Sequence, residues 1–452
     1  MIMRDAAGLA VTLETSDALA AWQDTTHAFL RHCRETPDHL ARTLSAAPDF
    51  AMGWAAKGLF LLLLGRRELM TPARAAHAQA LAALDRVGGT RRERALVQAL
   101  GAYLVGRLGM AAAILEAEIA RAPQDALLVK LDQSIRFVLG DRRGMLRLAD
   151  AAGPAYDTSH RFAGYVLGMR AFAREENGDY AQAERLGRAG LELCGDDAWG
   201  LHAVAHVYDM TARNAVGIAW LETQTASWAH CNNFGTHVWW HLALFYLDRG
   251  EIDRVLALYD ARIRAEHTDD YRDISNGAAM LVRLEIEGVD VGERWEELAQ
   301  LAEGRVEDGS VVFADLHYIL ALNGGGRTQA ADRMVARLAS DAARAEHDMH
   351  EVAAVAGHPA AVGLVAFRAG DYATAFERLR LARAQMQRVG GSHAQRDVFS
   401  RLTIEAGIRA GAFEAAEVEL AARVTRRGAE DGFTARRLEA IARAKRATVA
   451  AE

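Results

Sequence analysis

Apolar residues recur along most of the chain at spacings of three and four, not in strict alternation, so the elements they predict are amphipathic helices. Turn signals interrupt this pattern at Gly106, Gly140, Gly178-Asp179-Tyr180, Ala212-Arg213-Asn214, Gly250-Glu251, Gly370-Asp371-Tyr372 and Gly411-Ala412-Phe413. The first five fall 34, 38, 34 and 38 residues apart, a period that signals stacked helical hairpins. Ala375 and Ala382, following the 370–372 corner, supply the small residues that let paired helices approach closely. The loops 122–126 and 195–199 read as junctions between repeats, with aspartates placed to cap the next helix.

The predicted fold is therefore all-α: a tetratricopeptide-like α-solenoid of helical hairpins curled around a central groove. Residues 1–100 repeat less regularly and are expected to form an irregular N-terminal helical cap. Residues 101–452 are expected to continue from it as repeats of one solenoid, loosest between 260 and 350. Gly324-Gly325-Gly326 reads as a turn, because no Gly-Lys-Ser/Thr follows and no strand precedes it.

Composition removes several function classes. With 53 basic and 60 acidic residues the formal net charge is −7, which gives no support to a nucleic-acid partner. The basic residues near the end (Arg426, Arg427, Arg436, Arg437, Arg443, Lys445, Arg446) read as the wet face of a terminal helix. Three widely spaced cysteines support neither a disulfide framework nor a cysteine zinc site and suit a reducing compartment. The N-terminus lacks an apolar signal region, and the run Leu59 to Leu64 is far below the roughly 20 residues of a membrane helix. A cytoplasmic protein with no membrane partner is expected.

The most specific chemistry lies in two paired histidines. His202 and His206 stand in His-Ala-Val-Ala-His, His237 and His241 in His-Val-Trp-Trp-His, and each lies 35 residues from its counterpart. An i, i+4 pair shares one helix face, and one repeat period brings the two pairs onto neighbouring rungs. Four imidazoles should converge, able to transfer protons near neutrality or to bind a divalent metal such as zinc. The hydrolase motif H-E-x-x-H carries a glutamate base where this chain has Ala203 and Val238. Asp315 and His317, with His317 falling 76 residues after His241, are expected to join the histidines as catalytic groups.

Trp199 and Trp240, with Trp239, Phe234 and Tyr318 nearby in sequence, are expected to wall a ligand site, although aromatics at helical spacing also pack repeats together. Arg396 and Asp397 follow Gly390-Gly391-Ser392 at a helix start and are expected to bind an anionic group. Cys231, beside His230, has no positioned third group and is not expected to be a nucleophile. Together these residues predict an enzyme or binder of a small, anionic molecule, with hydrolase-like acid/base chemistry assisted by a metal. The alternative is a tetratricopeptide adaptor holding a protein or peptide in its concave face. A purely structural solenoid, with its histidines in a buried hydrogen-bond network, is the third reading.

Several segments together resemble the tetratricopeptide repeat protein 38 family: Asp197-Ala198-Trp199 running into His202 and His206; His237 with Trp240-His241; Gly250-Glu251 to Asp260; Glu287-Gly288-Val289 to Arg294-Trp295; Phe313, Asp315 and His317; and Gly390-Gly391-Ser392 to Phe399. Their order and spacing extend over roughly residues 40 to 445. The resemblance implies a tetratricopeptide-like helical fold and supplies no reaction. The Cys231-Asn232-Asn233-Phe234-Gly235 approach to the second pair departs from the family pattern.

Overall fold

The computed structural model describes residues 3–451. The fold is all-α, with one small antiparallel strand pair, Met3–Arg4 with Ala10–Val11, at the start. One corner recurs along it. The backbone N–H just past a helix end bonds to a carbonyl five residues back: Arg107 to Ala102, Asp141 to Arg136, Asp179 to Arg174, Arg213 to Tyr208, Glu251 to Tyr246, Val289 to Leu284, Arg327 to Leu322, Asp371 to Ala366 and Ala412 to Gly407, all at 2.8–3.0 Å. This bond satisfies a carbonyl that a helix C-terminus otherwise leaves bare, and it requires a left-handed residue beside it. Glycine supplies that conformation at most corners, for example Gly178 at φ 85° and Gly370 at φ 81°. Ala212 adopts φ 53° at the corresponding place without glycine's freedom.

At three of these corners the aspartate that closes one helix also opens the next. Asp141, Asp179 and Asp371 accept from the N–H groups of Gly144, Gln182 and Thr374, and Asp125 caps its helix in the same way through Leu128. The corners at Gly288 and Gly326 show that the same hairpin period runs through 260–350, where the sequence pattern is loosest.

The chain gathers into two compact units. The first takes Met1–Val204, Gln224–Gly235 and Glu346–Asp348; the second takes Ala205–Thr223, Thr236–Ala345 and Met349–Glu452. Residue 100 is not a boundary between them, since helix Arg91–Leu104 runs straight through it. In the first unit, consecutive helices pack as pairs, among them Ser16–Leu30 with Thr36–Ala46 and Ala163–Glu176 with Tyr180–Leu193. Glycines bring backbones together there: a Cβ on Gly168 would lie 2.8 Å from the Gly200 nitrogen. That contact seats the start of helix Ala198–Met210.

In the second unit, helices His393–Arg409, Phe413–Arg427 and Gly432–Ala451 are tied by a buried ion network. Arg423, fully buried, reaches Asp397 at 2.7 and 2.9 Å and Asp431 at 2.7 and 2.8 Å. Burial alone pushes the Asp397 carboxyl up, but Arg423 and Arg401 outweigh it and hold it well below the usual carboxylate range. The Phe433 ring lies against the guanidinium groups of Arg401, Arg423 and Arg437 at 4.5–5.1 Å. The wet-face expectation for the basic tail is therefore corrected at two positions. Arg427 is buried against Asp209 at 3.0 Å, and Arg437 against Glu405 at 2.9 Å. One helical stretch among the described residues, Asp348–Arg368, is long and apolar enough to cross a membrane, and half of it is buried inside the fold.

Arg423→Met leaves two carboxylates buried without their shared partner and is expected to cost about 3–5 kcal/mol, read as a lower urea midpoint. Arg443→Met, at a 4.0 Å exposed pair with Glu439, should change stability by less than about 0.5 kcal/mol in the same experiment.

Candidate metal centre

Helix Ala198–Met210 carries the first histidine pair and helix Phe234–Asp248 the second. The division between the two units falls within the first of these continuous helices, between Val204 and Ala205. The expected convergence is present: His202, His206, His237 and His241 each offer a buried ring nitrogen, all within 4.8 Å of one another. The tightest part lies in the second unit. His237 Nε2 and His241 Nε2 are 3.2 Å apart, and the His206 and His241 ring centroids are 4.4 Å apart.

Hydrogen bonding assigns the tautomer of one ring. His237 Nδ1 lies 3.2 Å from Asn276 Oδ1, an oxygen that can only accept, so Nδ1 carries the proton and the Nε2 lone pair faces His241. Either His241 Nε2–H donates to that lone pair, or both nitrogens face one cation. Zinc–nitrogen bonds of about 2.0–2.1 Å at tetrahedral angles place two ligand nitrogens about 3.3 Å apart. The observed 3.2 Å separation fits that requirement. Asn276 then occupies the position of an outer partner that orients a metal-binding imidazole.

Burial decides the protonation state. It pushes His237 down to about 3, with the neighbouring His206 adding to the shift and the Asn276 bond opposing it. His241 is pushed well below its ordinary range by burial, then by His206, His237 and Arg283. At neutral pH both are uncharged, the form that ligates metals. An imidazole so displaced is poorly matched to proton transfer near pH 7, which argues against the expected acid/base role for these two rings.

Trp240 is fully buried and stacks on His237 at 5.3 Å, with an interplanar angle of 16°. It is packing under the site, and not the ligand wall expected of it. Arg283, 1% exposed, places its guanidinium over the Trp240 ring, 5.4 Å from the centroid. Its Nη1 donates to Ala279 O at 2.9 Å and its Nη2 to Ala394 O at 2.7 Å, while Nε has no hydrogen-bond partner. Burial lowers its pKa to about 9, and Asp397 and Asp209 act on it only through space. It remains a buried cation at neutral pH.

Within the first unit, His202 meets Trp199, Phe234 and Phe172 with ring centroids 5.1–5.9 Å away. Lys130 Nζ sits 3.8 Å from the centre of the Trp199 ring. Burial pushes Lys130 down to about 7 against the pull of Asp197, and pushes Asp197 up to about 7 against the nearby Gly200 backbone N–H and the charge of Lys130.

The remaining expected site residues lie elsewhere. Asp315 is buried and ion-paired with Arg337 at 2.6 Å, outside the histidine set. His317 donates from Nδ1 to Phe313 O at 2.7 Å and packs between Phe313 and Phe399, also outside it. The Ser392 cap is as expected, completed by Gln395, but Arg396 turns its guanidinium onto Gly390 O at 3.2 Å, Gly391 O and Gln387 Oε1 at 2.9 Å. Asp397 is held by Arg401 and Arg423. Arg396 and Asp397 therefore serve the loop and the ion network, which corrects their expected anion-binding role. Lys130, Asn276 and Arg283 were not singled out by sequence, and Asp197 was read there as part of a capped junction. Asn276 had a usable signal, standing 39 residues after His237, close to one period. No family model matches the chain.

His317 provides a pH test of the buried imidazoles. Burial lowers it to about 3, while the unfolded chain binds its proton near 6.5, so its stability contribution is present above 6.5 and lost as pH falls toward 3. Urea unfolding of the wild type and His317→Leu at pH 7 and pH 5 should show the variant spared about 2 kcal/mol of acid destabilisation. Identical pH dependence in both proteins would contradict a buried neutral His317.

Proposed function

We propose that His206, His237 and His241 bind a divalent transition metal, zinc being the best match, and that the chain hydrolyses a small anionic molecule beside it. The observation that carries this reading is the meeting of four buried histidine nitrogens within 4.8 Å, two of them 3.2 Å apart. A closed set of four protein ligands suits a structural ion, whereas three ligands with an open position suit a catalytic one. His202, whose ring packs against Trp199, Phe234 and Phe172, is assigned to flank the open position. A bound ion would supply Lewis-acid polarisation of a carbonyl or phosphoryl oxygen.

Arg283 replaces Arg396 as the group that attracts an anion, because it is a buried cation with an unspent Nε–H. The adaptor reading is disfavoured, because a peptide in a concave face needs displayed side chains and these histidines are buried. The resemblance to the tetratricopeptide repeat protein 38 family supports the hairpin-repeat reading, and the free cysteines fit a reducing, cytoplasmic setting.

Metal analysis of protein purified without a histidine tag should return one zinc-type ion per chain. His206→Ala and His241→Ala should lose it, and His202→Ala should keep it. Hydrolysis of a panel of small carboxylate and phosphate esters should require the ion and fall at least ~100-fold in His241→Ala. A chain that takes up no metal would leave a hydrogen-bonded histidine core without this activity.

A further inference from the structure

Two of the three cysteines face each other across the backbone. Cys33 and Cys231 form an isolated antiparallel bridge within the first unit. The hydrogen bonds that make the bridge come from the flanking residues: Arg34 N–H donates to His230 O at 3.2 Å, and Asn232 N–H donates to His32 O at 2.8 Å. The cysteines are thus a non-hydrogen-bonded pair, the arrangement in which opposed Cα atoms come to about 4.5 Å and side chains share one face. Disulfides span Cα separations of about 4.4–6.8 Å, so this pair falls within range with no backbone movement. Both thiols are buried and reduced, Cys33 donating to Glu35 at 2.5 Å and Cys231 lying 3.7 Å from His230 Nε2.

We propose that Cys33 and Cys231 are a reversible disulfide site, closed by exchange with a small-molecule disulfide such as oxidised glutathione. One cysteine sulfur attacks the small disulfide, forming a mixed disulfide and releasing one small thiol. The second cysteine sulfur displaces the other small thiol. Both cysteine protons pass to the released thiols, the protein pair is oxidised by two electrons, and the small disulfide is reduced by two. Closure is expected to be slow, because burial pushes both thiols up, Cys231 to about 12, and only the thiolate attacks.

The position gives the bond a consequence. The Gln224–Gly235 segment leads directly into helix Phe234–Asp248, and Cys231 stands six residues before His237. On the other side, His32 holds φ 59° and stacks on Phe234 at 4.4 Å and on Trp199 at 5.3 Å. A covalent tie here fixes the entry of the second histidine helix to the turn after helix Ser16–Leu30.

The full chain, equilibrated with oxidised glutathione, quenched with an alkylating agent and mapped without reduction, should yield one cross-linked peptide joining Cys33 to Cys231, with Cys194 alkylated. Dithiothreitol should reverse it. The oxidised chain should melt at least ~3 °C higher than the reduced one, a shift absent in Cys33→Ser and in Cys231→Ala. Using both variants separates loss of the bond from a folding defect in either. Stable mixed disulfides with glutathione, cross-links to Cys194, or alkylation of both cysteines after prolonged oxidation would each overturn the assignment.

Discussion

The hairpin scaffold that carries the histidine helices rests on the corner that ends each helix. A backbone N–H bonded to a carbonyl five residues back, beside a left-handed residue, fixes where the chain turns and where the next helix starts. The corners at 213 and 251 end the helices Ala198–Met210 and Phe234–Asp248 in the same way but lie 38 residues apart, whereas the histidines recur at 35, so the second pair sits three residues further from its corner than the first. Slipping either helix by one residue would rotate its histidine pair by about 100° relative to the other and disperse the nitrogens.

Once the rings converge, desolvation governs their chemistry. Imidazoles exposed to water titrate near neutrality and share protons with solvent; burial removes that option for His237 and His241 and selects their uncharged form. Asn276 then sets which nitrogen of His237 faces inward. The same low-dielectric interior makes the lone Arg283 cation costly and so leaves the region seeking negative charge. Arg423, also fully buried, is balanced by two aspartates, whereas Arg283 meets backbone carbonyls and the Trp240 ring.

Much of the fold was legible because its signals are local. Gly178-Asp179-Tyr180 and Gly370-Asp371-Tyr372 announce a left-handed residue, a cap and a helix start within three positions, and the structure uses all three. The Gly288 and Gly326 corners lack the aspartate, so the period faded from view there while persisting in the backbone. The histidine quartet was legible because two i, i+4 pairs one period apart leave little freedom. Arg396 and Asp315 illustrate the opposite case. Their partners, Gly391 O and Arg337, are chosen by the packing of loops and neighbouring helices, which residue type and spacing do not encode. Arg427 and Arg437 looked like surface charges for the same reason, since their acidic partners at Asp209 and Glu405 lie far away in sequence.

X-ray absorption of the zinc-loaded chain tests the shared centre most directly, because it counts imidazoles around the ion whatever the protein does with it. Three or four imidazole nitrogens at about 2.0 Å, with no sulfur, are expected. A shell dominated by oxygen or sulfur, or holding fewer than three imidazoles, would contradict a common centre for His206, His237 and His241.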